Sequence, residues 1–216
     1  MAESKNQNFN HLKIHSQFSI CEGAIKIDDL REFSKENKIK AFGLCDTSNL
    51  CGALEFAEKI SKVGTQPIIG TQINFKYEET TGLLPLYALN EDGYKRIIEL
   101  SSMSYLKNDN LSDPHLDLNE LLNITNGISL FSGTINGLFG QLFNKGKFTE
   151  IAELYLKLKS KYNDRFYIEI QRHNDQNEIS FEKFNLSKSS TLEIPIIATN
   201  EVFYIDKDMH EAHDAL

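Results

Sequence analysis

Short apolar runs alternate along this chain with segments whose apolar residues recur every three or four positions, the rhythm of strands followed by amphipathic helices. LKIHS, AFGLCD, QPIIGTQINFKY, LLPLYALN, GISLFSG, RFYIEIQ and IPIIATNE read as strands. IDDLREFSKENK reads as a helix with Ile27, Leu30, Phe33 and Ser34 on one face, acidic residues early and lysines late, the order a helix dipole favours. SNLCGALEFAEKISKVG gives a stripe of Leu50, Ala53, Leu54, Ala57 and Ile60, stopped by Gly64. EDGYKRIIELSSMSYL, LNELLNIT, NGLFGQLFNKG and NEISFEKFNLSKSSTL are further helices, and DKDMHEAHDAL begins another. TEIAELYLKLKSKY carries Ile151, Leu154, Tyr155, Leu158 and Tyr162 on one side, with Thr149 as the predicted N-cap. The turn-like EETTG between two strands predicts a local antiparallel hairpin, and KNDNLSDPHLD, broken by Pro114, predicts a polar loop over 107–117.

Strands apolar on both faces and followed by helices predict an α/β fold with a largely parallel sheet, either open or closed into a barrel. The polar residues choose between the two. His15, Asp46, Gln72, Thr134, His173 and Glu201 each fall at or just beyond the end of a predicted strand. A barrel brings those ends to one mouth, whereas an open sheet carries the outer ones away from its crevice. A barrel is therefore expected.

Composition narrows the picture. With 216 residues, 40% of them hydrophobic, the chain can bury the core of one large domain. A formal net charge of −8 argues against strong direct DNA binding, which relies on Lys and Arg to displace counterions. The opening MAESKNQNFN lacks the apolar core of a signal peptide, and no run approaches the roughly 20 apolar residues of a membrane span, so a cytoplasmic location without membrane contact is expected. Cys21, Cys45 and Cys51 show neither C-x-x-C spacing nor a disulfide rhythm and are read as reduced thiols in packing positions. His210 and His213, in HEAH, lie one residue short of the zinc-protease spacing.

Singly, these polar residues are ordinary: a histidine at a strand end is commonly a hydrogen-bonded loop residue, and CDTSN can be a turn that caps the next helix. Their serial order is more telling. FNHLKIHSQFSICEGA, AFGLCDTSNLCGALEF, QPIIGTQINF, LFSGTINGLFG, FYIEIQRHN and IIATNEVFYIDKDMHEAHDAL together resemble the N-terminal polymerase and histidinol phosphatase (PHP) domain of bacterial DNA polymerase III alpha subunits, from about Phe9 to Leu216. Residues 1–8 are left as an extended or disordered start. The resemblance implies a distorted seven-stranded β/α barrel whose mouth, in metal-binding members, holds two or three divalent ions for phosphoester hydrolysis. The stop inside a predicted helix suggests a fragment of a longer polymerase chain, with the domain cut short at its C-terminal end.

Carried over position by position, the family's metal ligands are largely replaced. The paired histidines of the first strand fall on Lys13 and His15, the next acidic position on Glu22, and the Asp-His pair on Asp46 and Thr47. A glutamate falls on Gln72, a histidine near Leu83, a cysteine on Thr134, and a histidine on the retained His173. The closing Asp-x-His falls on Glu201 and Phe203. Lys13 is worse than a missing ligand: unit charges about 4 Å apart interact by roughly 4 kcal/mol at an effective dielectric of about 20, and a dication doubles that. The ammonium is expected instead to pair with Glu22, Asp46 or Glu201. The resemblance then implies a catalytically silent scaffold, with no catalytic residue and no cofactor in this piece, that contacts the rest of the alpha subunit and docks a proofreading exonuclease subunit. Magnesium-dependent nucleotide addition would belong to the parent polymerase. The alternative is a reduced site holding one zinc or manganese ion on His15, Glu22, Asp46, His173 and Glu201, with weak phosphoesterase or exonuclease activity.

Overall fold

Residues 9–108, 112–173 and 175–213 are described by the computed structural model. The expected start over 1–8 and the centre of the 107–117 loop lie outside them. Among the described residues one sheet carries β1 Lys13–Ile14, β2 Ala41–Thr47, β3 Gln66–Tyr77, β4 Thr80–Ala88, β5 Leu116–Asp117, β6 Ile128–Phe131, β7 Phe166–Ile170, β8 Ile196–Ala198 and β9 Glu201–Val202. Their order is β8-β7-β6-β4-β3-β2-β1-β9, with β5 beside β3. The two outermost strands are consecutive in the chain. Only Thr199 and Asn200 separate β8, paired with β7, from β9, paired with β1. Taken as one bent strand, β8 and β9 complete a ring of seven staves, the distorted barrel that the sequence predicts.

Pairing is parallel except around β4, which runs antiparallel to both β3 and β6. The β3–β4 ladder continues to Tyr77 opposite Thr80, so the hairpin turn is only Glu78 and Glu79. Thr80 to Gly82, expected in the turn, are ladder residues instead, because the left-handed backbone of Glu78, φ 51°, reverses the chain at once. The C-terminal end of the predicted 107–117 loop likewise forms β5 against β3.

The helices are α1 Ile27–Asn37, α2 Ala53–Ser61, α3 Glu91–Leu106, α4 Leu118–Asn123, α5 Leu138–Asn144, α6 Phe148–Tyr162, α7 Gln176–Leu192 and the short α8 His210–His213. All five stripe residues expected on α6 are buried. Its N-cap is Lys147 and not Thr149, which lies inside the first turn. On α2 the buried row is Ala53, Phe56 and Ile60, while Leu54 is 78% exposed. Positions i, i+3 and i+7 share a face, and Leu54 sits about 100° round the helix from Ala53.

Alternate β2 residues face opposite ways. Phe42 and Leu44 join Ile27, Leu30, Phe56 and Ile60 in the layer beneath α1 and α2, whereas Cys45 packs with Tyr87 and Phe131 from β4 and β6. The larger core lies on the other side of the ring, with Phe75, Leu84, Phe139, Tyr155 and Phe166 among its fully buried members. Of the three free thiols only Cys45 is in a packing position; Cys21 and Cys51 are exposed because both lie in turns outside the strands. Burial pushes the Cys45 thiol up to about 12, above its ordinary value.

Gly43 seats β1 against β2. Its N–H donates to the His11 carbonyl at 2.8 Å, and a Cβ on it would fall 2.3 Å from the Leu12 carbonyl oxygen. Gly43→Ala is therefore expected to cost about 1–3 kcal/mol, in the range of core overpacking. At about 2–4 °C per kcal/mol for a chain of this size, differential scanning calorimetry should show Tm lowered by several degrees.

Candidate functional site: a buried ammonium at the barrel mouth

Register puts Lys13 of β1 opposite Glu201 of β9. The lysine is 1% exposed, and its Nζ lies 2.6 Å from Glu201 Oε1 and 3.4 Å from Glu169 Oε1. Burial alone would drive the proton off, but the two carboxylates outweigh it and hold the Lys13 pKa well above its ordinary value. Burial likewise pushes the Glu201 carboxyl up, and the Lys13 ammonium, by charge and hydrogen bond, outweighs it and brings the carboxyl below the usual range. Of the three partners expected for Lys13, the structure supplies Glu201; the other is Glu169, which the motif reading missed. The signal was present as a charged residue in the middle of FYIEI, an otherwise apolar strand. Glu169 is 1% exposed, and its Oε1 also accepts from Gln171 Nε2 at 3.2 Å and from the Thr199 hydroxyl.

Asp46 is committed elsewhere. Its Oδ1 accepts from the Ser16 N–H at 2.7 Å and the Ser19 hydroxyl at 2.8 Å, and its Oδ2 from the Ser16 hydroxyl at 2.8 Å. It thus pins the turn that follows β1 and does not meet Lys13, because Ser16 and Ser19 lie between β1 and the end of β2. Burial raises the Asp46 pKa despite those hydrogen bonds. Glu22, Thr47 and Gln72 form a second chain: Gln72 Nε2 donates to Thr47 Oγ1 at 2.9 Å, which donates to Glu22 Oε2 at 2.5 Å. Gln72 occupies the middle of β3, not its end, since that strand runs on to Tyr77. Thr134 shapes the loop after β6, its carbonyl accepting from the Gly137 N–H at 3.0 Å.

His15 is fully buried, stacked on Phe203 with ring centroids 4.6 Å apart, and neither ring nitrogen has a hydrogen-bond partner. Burial lowers its pKa to about 4; Glu201 opposes the shift and Lys13 adds to it. His213, from α8, donates through Nε2 to the Glu22 carbonyl at 2.7 Å and lies 5.7 Å from Phe203. His173 points to the rim, where Nδ1 meets Glu178 Oε1 at 2.8 Å and the side chain is 44% exposed. Lys13, Glu22, Gln72, Thr134, Glu201 and Phe203 line one cleft of about 120 Å³, with Leu83 on its wall. Among the described residues no group of three or more His, Cys, Asp or Glu side chains is placed to hold a metal ion.

Fold and site define a distorted β/α barrel with a polar cluster at one mouth. In that architecture the chain is similar to a solved structure of an amidohydrolase from Chromobacterium violaceum with bound sulfate and no metal, with a TM-score of 0.56 over 95% of this chain and 96% of that one, at 10% identity. The PHP domain model matches residues 11–173, and the chain belongs to that family. It is 34% identical over 225 residues to DNA polymerase III subunit alpha of Caulobacter vibrioides, covering all of this chain and 20% of that one. With DNA polymerase III subunit alpha of Rickettsia felis it shares 37% identity over 210 residues, 96% of this chain and 17% of the relative. The chain thus spans no more than a fifth of the length of these relatives.

Lys13→Met leaves Glu169 and Glu201 facing each other without the ammonium. Breaking a buried pair in this way costs about 3–5 kcal/mol, to be read as a lower urea midpoint, and Glu201→Gln should cost less because its side chain is 25% exposed.

His15 adds a pH dependence with a definite sign. Its unfolded pKa is about 6.5, against about 4 in the fold. The unfolded chain therefore binds the extra proton between those values, and stability is complete above the higher one and lost as pH falls toward the lower. His15→Phe should flatten the dependence of the urea midpoint on pH between those two values.

Proposed function

We propose that this chain is the N-terminal PHP portion of a DNA polymerase III alpha subunit, acting as a scaffold whose mouth is held by an ammonium–carboxylate network in place of metal ions. The Lys13 ammonium lying 2.6 Å from Glu201 and 3.4 Å from Glu169 carries this reading. The donor set does not fit a divalent cluster: Lys13 neutralises the carboxylates such ions need, Asp46 is spent on Ser16 and Ser19, and His173 is held by Glu178. Replacing the lost imidazoles and carboxylates with Lys13, Thr47, Gln72 and Phe203 substitutes internal charge and hydrogen bonding for coordination.

The likeness to alpha subunits over nearly all of this chain supports the remainder of such a subunit as the principal partner. DNA-directed nucleotide addition, with its magnesium, would then be the work of that remainder, in DNA replication in the cytoplasm. The family resemblance supports a docking role for a proofreading exonuclease subunit. The net charge of −8 fits a domain that meets proteins rather than the DNA backbone.

Metal content decides the matter. Untagged protein purified without chelator, dialysed against zinc and manganese and measured by inductively coupled plasma mass spectrometry, should hold well under one equivalent. A stoichiometric ion lost on His15→Ala or Asp46→Ala would overturn the proposal in favour of a reduced phosphoesterase or exonuclease site.

A further inference from the structure

Glu169 is satisfied on one side only. Its Oε1 takes Lys13, Gln171 and Thr199, while Oε2, equally buried, has no hydrogen-bond partner. Across from β7, α7 presents Asn185, 0% exposed, whose Oδ1 accepts from the Tyr155 hydroxyl at 3.1 Å and whose Nδ2 also has no partner. Both residues line the same small cavity of about 10 Å³, between β7, α7 and the loop after β6. Two residues, one carrying an unsatisfied acceptor and the other an unsatisfied donor, therefore line a space about the size of one water-probe sphere.

We infer that this cavity binds a single internal water molecule, which accepts a hydrogen bond from Asn185 Nδ2 and donates one to Glu169 Oε2. The chemistry selects water over the other small occupants. An amide N–H repels a cation, and a carboxylate oxygen repels an anion. A group that both donates and accepts satisfies the two together, and leaving either unmet in the interior is costly. Thr134 and Gln171, also in the lining, offer further polar atoms for the water's remaining valences. The result is a continuous polar path from Lys13 in the cleft through Glu169 and the water to Asn185 and Tyr155 beneath α7. The water serves the carboxylate that faces the ammonium, giving its second oxygen a hydrogen bond of its own.

A high-resolution crystal structure of the chain should show one isolated peak about 2.7–3.1 Å from both Glu169 Oε2 and Asn185 Nδ2. In solution, magnetic relaxation dispersion should count one fewer long-lived internal water in Asn185→Leu than in the unchanged protein, with circular dichroism reporting that the variant is folded. A direct Glu169–Asn185 hydrogen bond, a peak with the short multiple oxygen contacts of a cation, or an unchanged water count in folded Asn185→Leu would overturn the inference. Should Asn185→Leu not fold, the crystal structure alone decides it.

Discussion

The contact between the Lys13 ammonium and the carboxylates of Glu201 and Glu169 joins β1, β9 and β7 where the ring meets itself. Backbone pairing alone leaves a seam there. β8 pairs with β7 for three residues and β9 with β1 for two, with the bend at Thr199 and Asn200 between them. Thr199 belongs to both systems: its N–H donates to the Ile170 carbonyl at 3.1 Å, and its hydroxyl reaches Glu169. Charge and main chain thus tie the same three strands, and loosening either exposes the other.

A buried ion pair is an expensive fastener, because each charge gives up its hydration and the attraction returns it only when the remaining hydrogen bonds are made. The surroundings of Lys13 show how this is met. Gln171 and Thr199 serve Glu169, and Glu201 keeps part of its surface in the cleft. His15 contributes through what it lacks. An imidazole without polar partners, packed flat on Phe203, stays neutral and adds no second cation beside the lysine.

The fold was legible where burial repeats with a simple period. The α6 stripe and the β3–β4 hairpin follow from patterns that each need only local sequence. The α2 face was misjudged because Leu54 and Phe56 are both apolar and only the position of β3 selects between them. The site was readable through its order of motifs, which placed Lys13 and Glu201 in one cluster. Glu169 was hidden because a glutamate inside a strand gives no sign of its partner until strands distant in sequence are set side by side. Asp46 shows the converse: its ligand-like position in CDTSN conceals that Ser16 and Ser19 already claim both its oxygens.

The bent strand that completes the ring has a consequence for how the domain is made. Lys13 and Glu201 are separated by 188 positions, so β1 finds this neighbour only after all the strands between them have been synthesised. The hairpin of β3 and β4, and the pairing of β1 with β2, can assemble beforehand from nearby segments, whereas the contact of β1 with β9 must wait. Closure of the barrel is therefore a long-range event, of the kind whose cost in chain entropy makes folding slower.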